Sequence, residues 1–458
     1  MPFYGELADI RFGCGLSPHL PPPRSGADML DGLRRPDAMA QRFAVPLFAD
    51  YAWHLATADR IRTRGRKTGT QDAARRQIVE IGKALAGERM RWFAANLLRW
   101  SHSETPLRER LTLFWADHFT ARGKTMLTAA AGFPYIEEAI RPNLTGRFAD
   151  LLVAATTHPL MLHYLDQARS VGPNSPAAAR AKRLGGLNEN LAREVLELHT
   201  LGVNGPYTQG DVRQLAELFT GLSYRNGQGF KFRAGFAEPG AETVLGRQYG
   251  GDRGALAPVL SALHDLATHP ATARHIAGKL AVHFVSDLPD PALVDHVAAR
   301  FLQTGGDLLA VYGALLEHPA AWTAAPGNVK PPFDFVASAC RALALRPERM
   351  AALTPRQMRR GLLRPLRLMG QPLLRPNGPD GWPEADSAWI TPQGVSARLR
   401  WAVAAPQMLQ PQLPDPRAFV RTALGVRATA PVRFAAKAAE SRPDAIGLVL
   451  AAPAFQRR

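Results

Sequence analysis

The sequence predicts a mainly α protein: one large multi-helix core, long irregular Pro/Gly-rich loops and at most a small β-hairpin. Two observations carry this expectation. Apolar residues recur at i, i+3 and i+4 through segment after segment, whereas the period-two alternation of a strand is almost absent. Helix start signals, in which Thr or His precedes Pro, are spread along the chain at Thr105, His158, His269, His318 and Thr391.

In chain order, residues 1–45 carry Pro18, Pro21, Pro22 and Pro23 and form an extended arm around one short helix at 27–33. Helical spacing then covers 48–58, 72–85, 89–100 and 106–120. In the last of these Thr105 is the N-cap and Pro106 the first helical residue, and Leu107, Leu111, Phe114, Trp115 and His118 share one face. Helices at 135–140 and 143–155 follow, then a surface loop at 170–186. Residues 224–251 contain eight glycines or prolines and suit neither period, apart from a short hairpin around Phe230, Phe232 and Phe236. Helices resume at 256–267, 272–284, 291–303 and 308–317. Another irregular passage, 369–390, holds Trp382 and Trp389, and a loop of that length in a helical protein is expected to be functional or packed on the core. A helix starting at Thr391-Pro392, a linker at 406–416 and two final helices complete the chain. The resulting division is an arm at 1–45, a helical core at 46–405, and a C-terminal linker with helices at 406–458 that pack on that core.

The densest stretch is a helical hairpin at 188–222. At about 100° per residue, Leu187, Leu191, Val195, Leu198 and Leu201 fall on one side of its first helix and Glu189, Arg193 and Glu197 on the other. The second set is an exposed i, i+4 ladder worth roughly 0.2–0.5 kcal/mol per pair. Glu194 lies instead between Leu191 and Leu198 on the apolar stripe, where a carboxylate must find a partner, take up a proton or line a polar cavity. Gly202 and Pro206 end the helix, and Thr208 with Asp211 three residues on starts the next as a capping box.

The charge of +17 and the pI near 10.5 invite a nucleic-acid role. That role is set aside, because the charge is mostly arginine spread along the chain without an interleaved aromatic platform. The run from Tyr207 to Ala216 resembles the first helix of a helix-turn-helix, but no recognition helix follows it. No apolar window reaches membrane-spanning length, and the first residues lack the pattern of a signal peptide. Cys14 and Cys340 belong to no Cys-x-x-Cys motif, which argues against structural zinc and leaves a disulfide between them open.

Several motifs together carry a family resemblance. They are Phe114-Trp115-Ala116-Asp117-His118-Phe119, Met161-Leu162-x-Tyr164-Leu165-Asp166, the run 188–212, Thr243-Val244-Leu245-Gly246, Gly370-Gln371-Pro372, Gly381-Trp382-Pro383 and Phe455-Gln456-Arg457. With them the chain closely resembles the bacterial domain of unknown function 1800 family, over nearly its whole length. The resemblance implies a mostly helical protein without an established activity, encoded beside hydrolase-like proteins of the domain of unknown function 1501 family, which often carry export signals. It therefore implies a cytoplasmic protein, or one exported together with a signal-bearing partner. One motif departs: where the family often has His-Asp-Pro-Gly-x-Lys, this chain has Ala237-Glu238-Pro239-Gly240-Ala241-Glu242.

Two functions compete. One is a helical binding or assembly partner of such a hydrolase-like subunit. The other is an enzyme in which His118 and Glu194, each misplaced on an apolar stripe, meet as an acid–base pair or as two ligands of a metal. Arg193 or Arg213 would then hold an anionic substrate group, with His199 and Asp211 as weaker contributors. The residues name no cofactor. The plain structural alternative is a core histidine bonded to a backbone carbonyl, or a buried ion pair that fixes helix register.

Overall fold

A computed structural model describes residues 3–180, 186–323 and 327–458. The architecture is mainly α, with two small two-stranded antiparallel sheets. Helix Phe48–Thr68 turns at Gly69, which sits in the left-handed region at φ 70°, into the long helix Gln71–His102, and the two pack on each other. Gln71–His102 merges the two segments expected at 72–85 and 89–100, and it also packs on Pro332–Ala342. The buried apolar side chains form a connected cluster that runs from Ala8 to Phe455. No helix among the described residues is long and apolar enough to cross a membrane.

The helix starts follow their sequence signals closely. The imidazoles of His158, His269 and His318 each accept, through Nδ1, the backbone N–H two residues on, at 3.1, 3.1 and 3.3 Å. Each His-Pro pair is thus a cap followed by a residue with no N–H to satisfy. Thr105 starts helix Pro106–His118 but makes no side-chain capping bond. The linker expected at 406–416 is shorter, because helix Pro392–Leu409 continues through Pro406. Proline there removes one hydrogen bond close to the last turn, where little helix remains to be broken. Beyond it lie Pro416–Leu424, Ala430–Ala438, Arg442–Ala451 and Pro453–Gln456, more helices than expected.

β1 (Leu222–Arg225) pairs with β2 (Gly229–Phe232), and β3 (Gly240–Val244) with β4 (Arg247–Gly251). The second hairpin had no sequence signal because its turn places Leu245 at φ 50° beside Gly246 at φ 77°, and leucine is a rare occupant of that region. The loop expected at 170–186 holds the short helix Pro176–Arg180, and residues 181–185 lie outside the described residues.

In the stretch 188–222, Asn190–Glu194 is α-helical, but Val195–Thr200 is a π-turn, in which Leu201 N–H bonds Leu196 O at 3.0 Å and Thr200 Oγ1 donates to Val195 O at 2.6 Å. Gly202 follows at φ 91°, and Thr208 and Asp211 close a reciprocal capping box on Gln209–Leu218. Thr208→Ala removes one side of that box and should cost about 1 kcal/mol in a urea titration. A loss under about 0.3 kcal/mol would show that solvent caps the helix equally well.

Arginine is partly internal. Arg11, Arg99, Arg108, Arg110, Arg141, Arg341, Arg398 and Arg458 are all buried. Arg99 is bidentate to Glu137 at 2.5 and 3.0 Å, Arg141 bridges Glu109 and Asp37, and Arg341 donates to the carbonyls of Gly15, Trp100 and Ser103. These eight arginines are therefore structural and contribute nothing to an exposed binding surface. Cys14 and Cys340 are both buried free thiols, and Cys14 Sγ donates to Pro106 O at 3.5 Å.

Candidate active site

The last turn of Pro106–His118, helix Pro332–Ala342, the segment around Phe133–Ile136 and the irregular passage 369–390 enclose a cavity of about 150 Å³. Phe133, Tyr135, Phe333, Leu374, Trp382 and Trp389 line its apolar wall. The polar side chains that converge on it include Asp117, His283, Glu384, Arg110, Asp334 and Arg458. An apolar chamber with a few placed polar groups is the usual form of a small-molecule site.

Asp117 ends its helix facing this space. Both carboxylate oxygens accept the backbone N–H of Trp382, at 2.9 and 3.2 Å. The preceding Gly381, at φ 81°, makes the approach possible, since a Cβ there would lie 2.7 Å from the carboxylate. Burial, reinforced by the charge of Glu384, pushes the Asp117 carboxyl up to about 8, so the group is largely protonated at neutral pH. Glu384 is treated oppositely. Burial alone would raise it, but His283, Arg458 and Lys279 outweigh that and hold it down at about 2.

His283 Nδ1 lies 2.7 Å from Glu384 Oε1, and Arg110 Nη2 lies 3.2 Å from His283 Nε2. A guanidinium only donates, so Nε2 must be the acceptor and Nδ1 must carry the proton given to Glu384. Burial also holds His283 at about 4, which agrees with a neutral ring in one tautomer. Beneath it, Asp334 takes charged hydrogen bonds from both Arg110 and Arg458, and Arg458 Nη2 also donates to His283 O at 3.1 Å. The cavity floor is a layered network of Arg, Asp, His and Glu in which each member orients the next.

His118 is buried, and its Nε2–H donates to the carbonyl of His199 at 3.2 Å, which is the bonding of a core histidine. Among the described residues its Nδ1 has no hydrogen-bond partner, and neither does Nδ1 of His199. An ideal α wheel places His199 off the apolar stripe, but it is buried with its ring 6.0 Å from that of His118. The π-turn explains the difference: one extra residue in the turn rotates everything after it relative to an ideal α wheel. His275 joins the group at 6.2 Å from His118 and donates through Nε2 to Leu198 O at 3.1 Å. Burial, then the charge of Lys279, holds all three rings below the ordinary histidine value.

Lys279 shares a helix with His275 and His283 at four-residue spacing. Its ammonium makes no hydrogen bond or ion pair among the described residues, while its charge bears on Asp117, Glu384 and the three histidines.

Glu194 is part-buried and makes no hydrogen bond or ion pair among the described residues. Burial first, then the carboxylates of Glu197 and Asp380, raise it to about 7. No bond or ion pair joins it to His118, and neither residue lines the cavity. Arg193 is held by Glu189, Glu197 and Gln209 in the expected ladder, which is half-buried and not exposed. Arg213 pairs with Glu217, and Asp211 combines its capping role with acceptance of the Leu245 N–H at 2.7 Å. Ala237 is buried, and Glu242 packs against Glu217, where burial and that like charge lift it to about 7. Among the described residues, no group of three or more His, Cys, Asp or Glu side chains is arranged to hold a metal ion.

Sequence reasoning passed over Asp117, His283 and Glu384. Two of them had a signal: Asp117 precedes His118 inside a quoted motif, and Glu384 follows Gly381-Trp382-Pro383. His283 had none, since histidine near a helix end is ordinary.

The fold and site define a mainly α protein with a small aromatic-walled chamber lined by three carboxyl groups, of which Asp117 is held protonated while Glu384 and Asp334 are held ionised. The chain belongs to the family described as protein of unknown function (DUF1800), whose profile matches residues 29–457. No curated protein and no solved structure gives a significant match.

Proposed function

We propose that the protein is an acid–base enzyme acting on a small hydroxylated molecule held in the cavity. Asp117 is the proton donor and Glu384 the proton acceptor. The observation that carries this reading is that Asp117 and Glu384 line the same chamber while their surroundings keep one protonated and the other ionised. A proton passes from Asp117 to a leaving or carbonyl oxygen of the ligand, and Glu384 takes one from a hydroxyl or a water. His283 positions Glu384 through the Nδ1–H bond. Trp382 supports the reading twice, through its N–H on Asp117 and through an indole that lines the chamber. In this reading His118 and Glu194 lie outside the chamber: His118 braces the helix end that presents Asp117, and Glu194 adds a second carboxyl of raised affinity for protons near Asp380.

Saturation-transfer NMR against a panel of small glycosides, lactones and polyols, followed by turnover of each hit, tests the proposal. Asp117→Asn and Glu384→Gln should each slow turnover by about 100-fold or more while binding persists. Full activity in both variants would end the acid–base reading.

A second reading is a helical subunit that docks beside a hydrolase-like protein. It is favoured by Val426 and Phe434, large apolar side chains that are 81% and 73% exposed in adjoining C-terminal elements. Co-purification with a tagged hydrolase-like neighbour, lost in Phe434→Glu, is the expected result. A chain that stays monodisperse and alone beside abundant partner would count against it.

A further inference from the structure

The second large concavity lies apart from the chamber and shares no lining residue with it. It is a groove of about 680 Å³ between the segment Pro355–Leu368 and helix Pro392–Leu409. Its apolar lining includes Pro365, Leu368, Trp401, Ala404 and Met408, and its charged lining is Arg356, Arg360 and Arg400. The indole N–H of Trp401 is already satisfied by Gly361 O at 2.7 Å, so the ring offers the groove only apolar surface.

The three arginines are exposed and make no hydrogen bond or ion pair among the described residues. Elsewhere on the surface some arginines have a local carboxylate, as Arg62 has Asp59, Arg91 has Glu88 and Arg213 has Glu217. No local carboxylate is on offer here. The sequence has no Asp or Glu from 349 to 379 or from 387 to 414, the two stretches that build both walls. The π-turn Arg359–Leu363 brings the walls close, since a Cβ on Gly361 would lie 1.9 Å from the tip of Met408.

We propose that this groove binds a single-chain anionic amphiphile as a monomer: a fatty-acid-like carboxylate or an alkyl phosphate. The alkyl chain lies over Leu368, Trp401, Ala404 and Met408, and the head is clamped by Arg356, Arg360 and Arg400. A volume within the usual range of ligand sites, roughly 300–1,000 Å³, suits such a molecule. The apolar floor distinguishes it from a purely hydrophilic polyanion, and the unpaired guanidinium groups distinguish it from a neutral lipid.

Isothermal titration of the full chain tests this with dodecyl phosphate below its aggregation concentration, inorganic phosphate, dodecyl maltoside, and vesicles containing anionic phospholipid. Dodecyl phosphate should bind with one-to-one stoichiometry, at least about tenfold tighter than inorganic phosphate or dodecyl maltoside. The double variant Arg360→Ala, Arg400→Ala should weaken it by about tenfold or more with an unchanged thermal midpoint, because both side chains are exposed. Ala404→Trp should block the chain while leaving the arginines in place. Equal binding of the neutral detergent, equal binding of inorganic phosphate, binding to vesicles alone, or unchanged affinity in both variants would each overturn the proposal.

Discussion

Asp334→Ala should destabilise the folded protein by at least about 3–5 kcal/mol, the cost of leaving a buried charge without its partner. The size follows from what Asp334 does. It is 6% exposed and takes charged hydrogen bonds from Arg110 and Arg458, which are themselves buried. Removing one carboxylate therefore leaves Arg110 without an anion and Arg458 with only the longer 3.8 Å contact to Glu384. Arg110 retains the faces of Trp100 and Phe284, 5.8 and 5.6 Å from its guanidinium carbon, but these cannot replace an anion. The chamber should loosen as well, since Arg110 fixes the His283 tautomer and Arg458 supports Glu384. Guanidinium titration of the purified variant measures the effect, and a loss below about 1 kcal/mol would mean that water or a rearranged carboxylate takes over the role.

Asp117→Asn should change how stability depends on pH. In the folded chain the carboxyl is raised to about 8 from an ordinary aspartate value of about 3.9. A raised group contributes stability that is fully present below its unfolded value and is lost as pH rises through the folded value. The wild type should therefore lose stability between roughly pH 4 and pH 8, at a limiting rate of about 1.4 kcal/mol per unit, relative to a variant that cannot titrate there. The carboxyl keeps some surface open to the chamber, so the realised slope is smaller than that limit. Urea midpoints for both proteins at pH 5 and pH 8.5 give the comparison. The gap should widen with pH in favour of the asparagine, and a constant gap would show that Asp117 is ionised throughout.

Local signals were legible in the sequence wherever local chemistry suffices. The His-Pro starts, the Thr208–Asp211 capping box, the Gly202 turn and the i, i+4 ladder on Arg193 depend on residues within four or five positions of one another, and each is found where its spacing placed it. The helices at 256–267, 291–303 and 308–317 have the expected bounds for the same reason. Prediction weakened where a locally disfavoured backbone is held by the rest of the protein, as at Leu245 in the second hairpin turn and at the π-turn of 195–200. That single turn also carries His199, which an ideal α wheel leaves off the apolar stripe, into the interior.

By itself, then, the sequence determined the helical class, the family, and the fact that Glu194 and His118 stand among apolar residues. Only the tertiary structure decided what those misplaced groups meet. His118 found a backbone carbonyl and two further histidines, and Glu194 found neither a base nor a cation within bonding reach among the described residues. The chamber brings together Asp117, His283, Asp334 and Glu384 from four separate segments, and no residue pattern encodes that meeting. Protonation state belongs to this second level, because the same carboxyl group is held at about 8 in Asp117 and about 2 in Glu384 by burial and neighbouring charge.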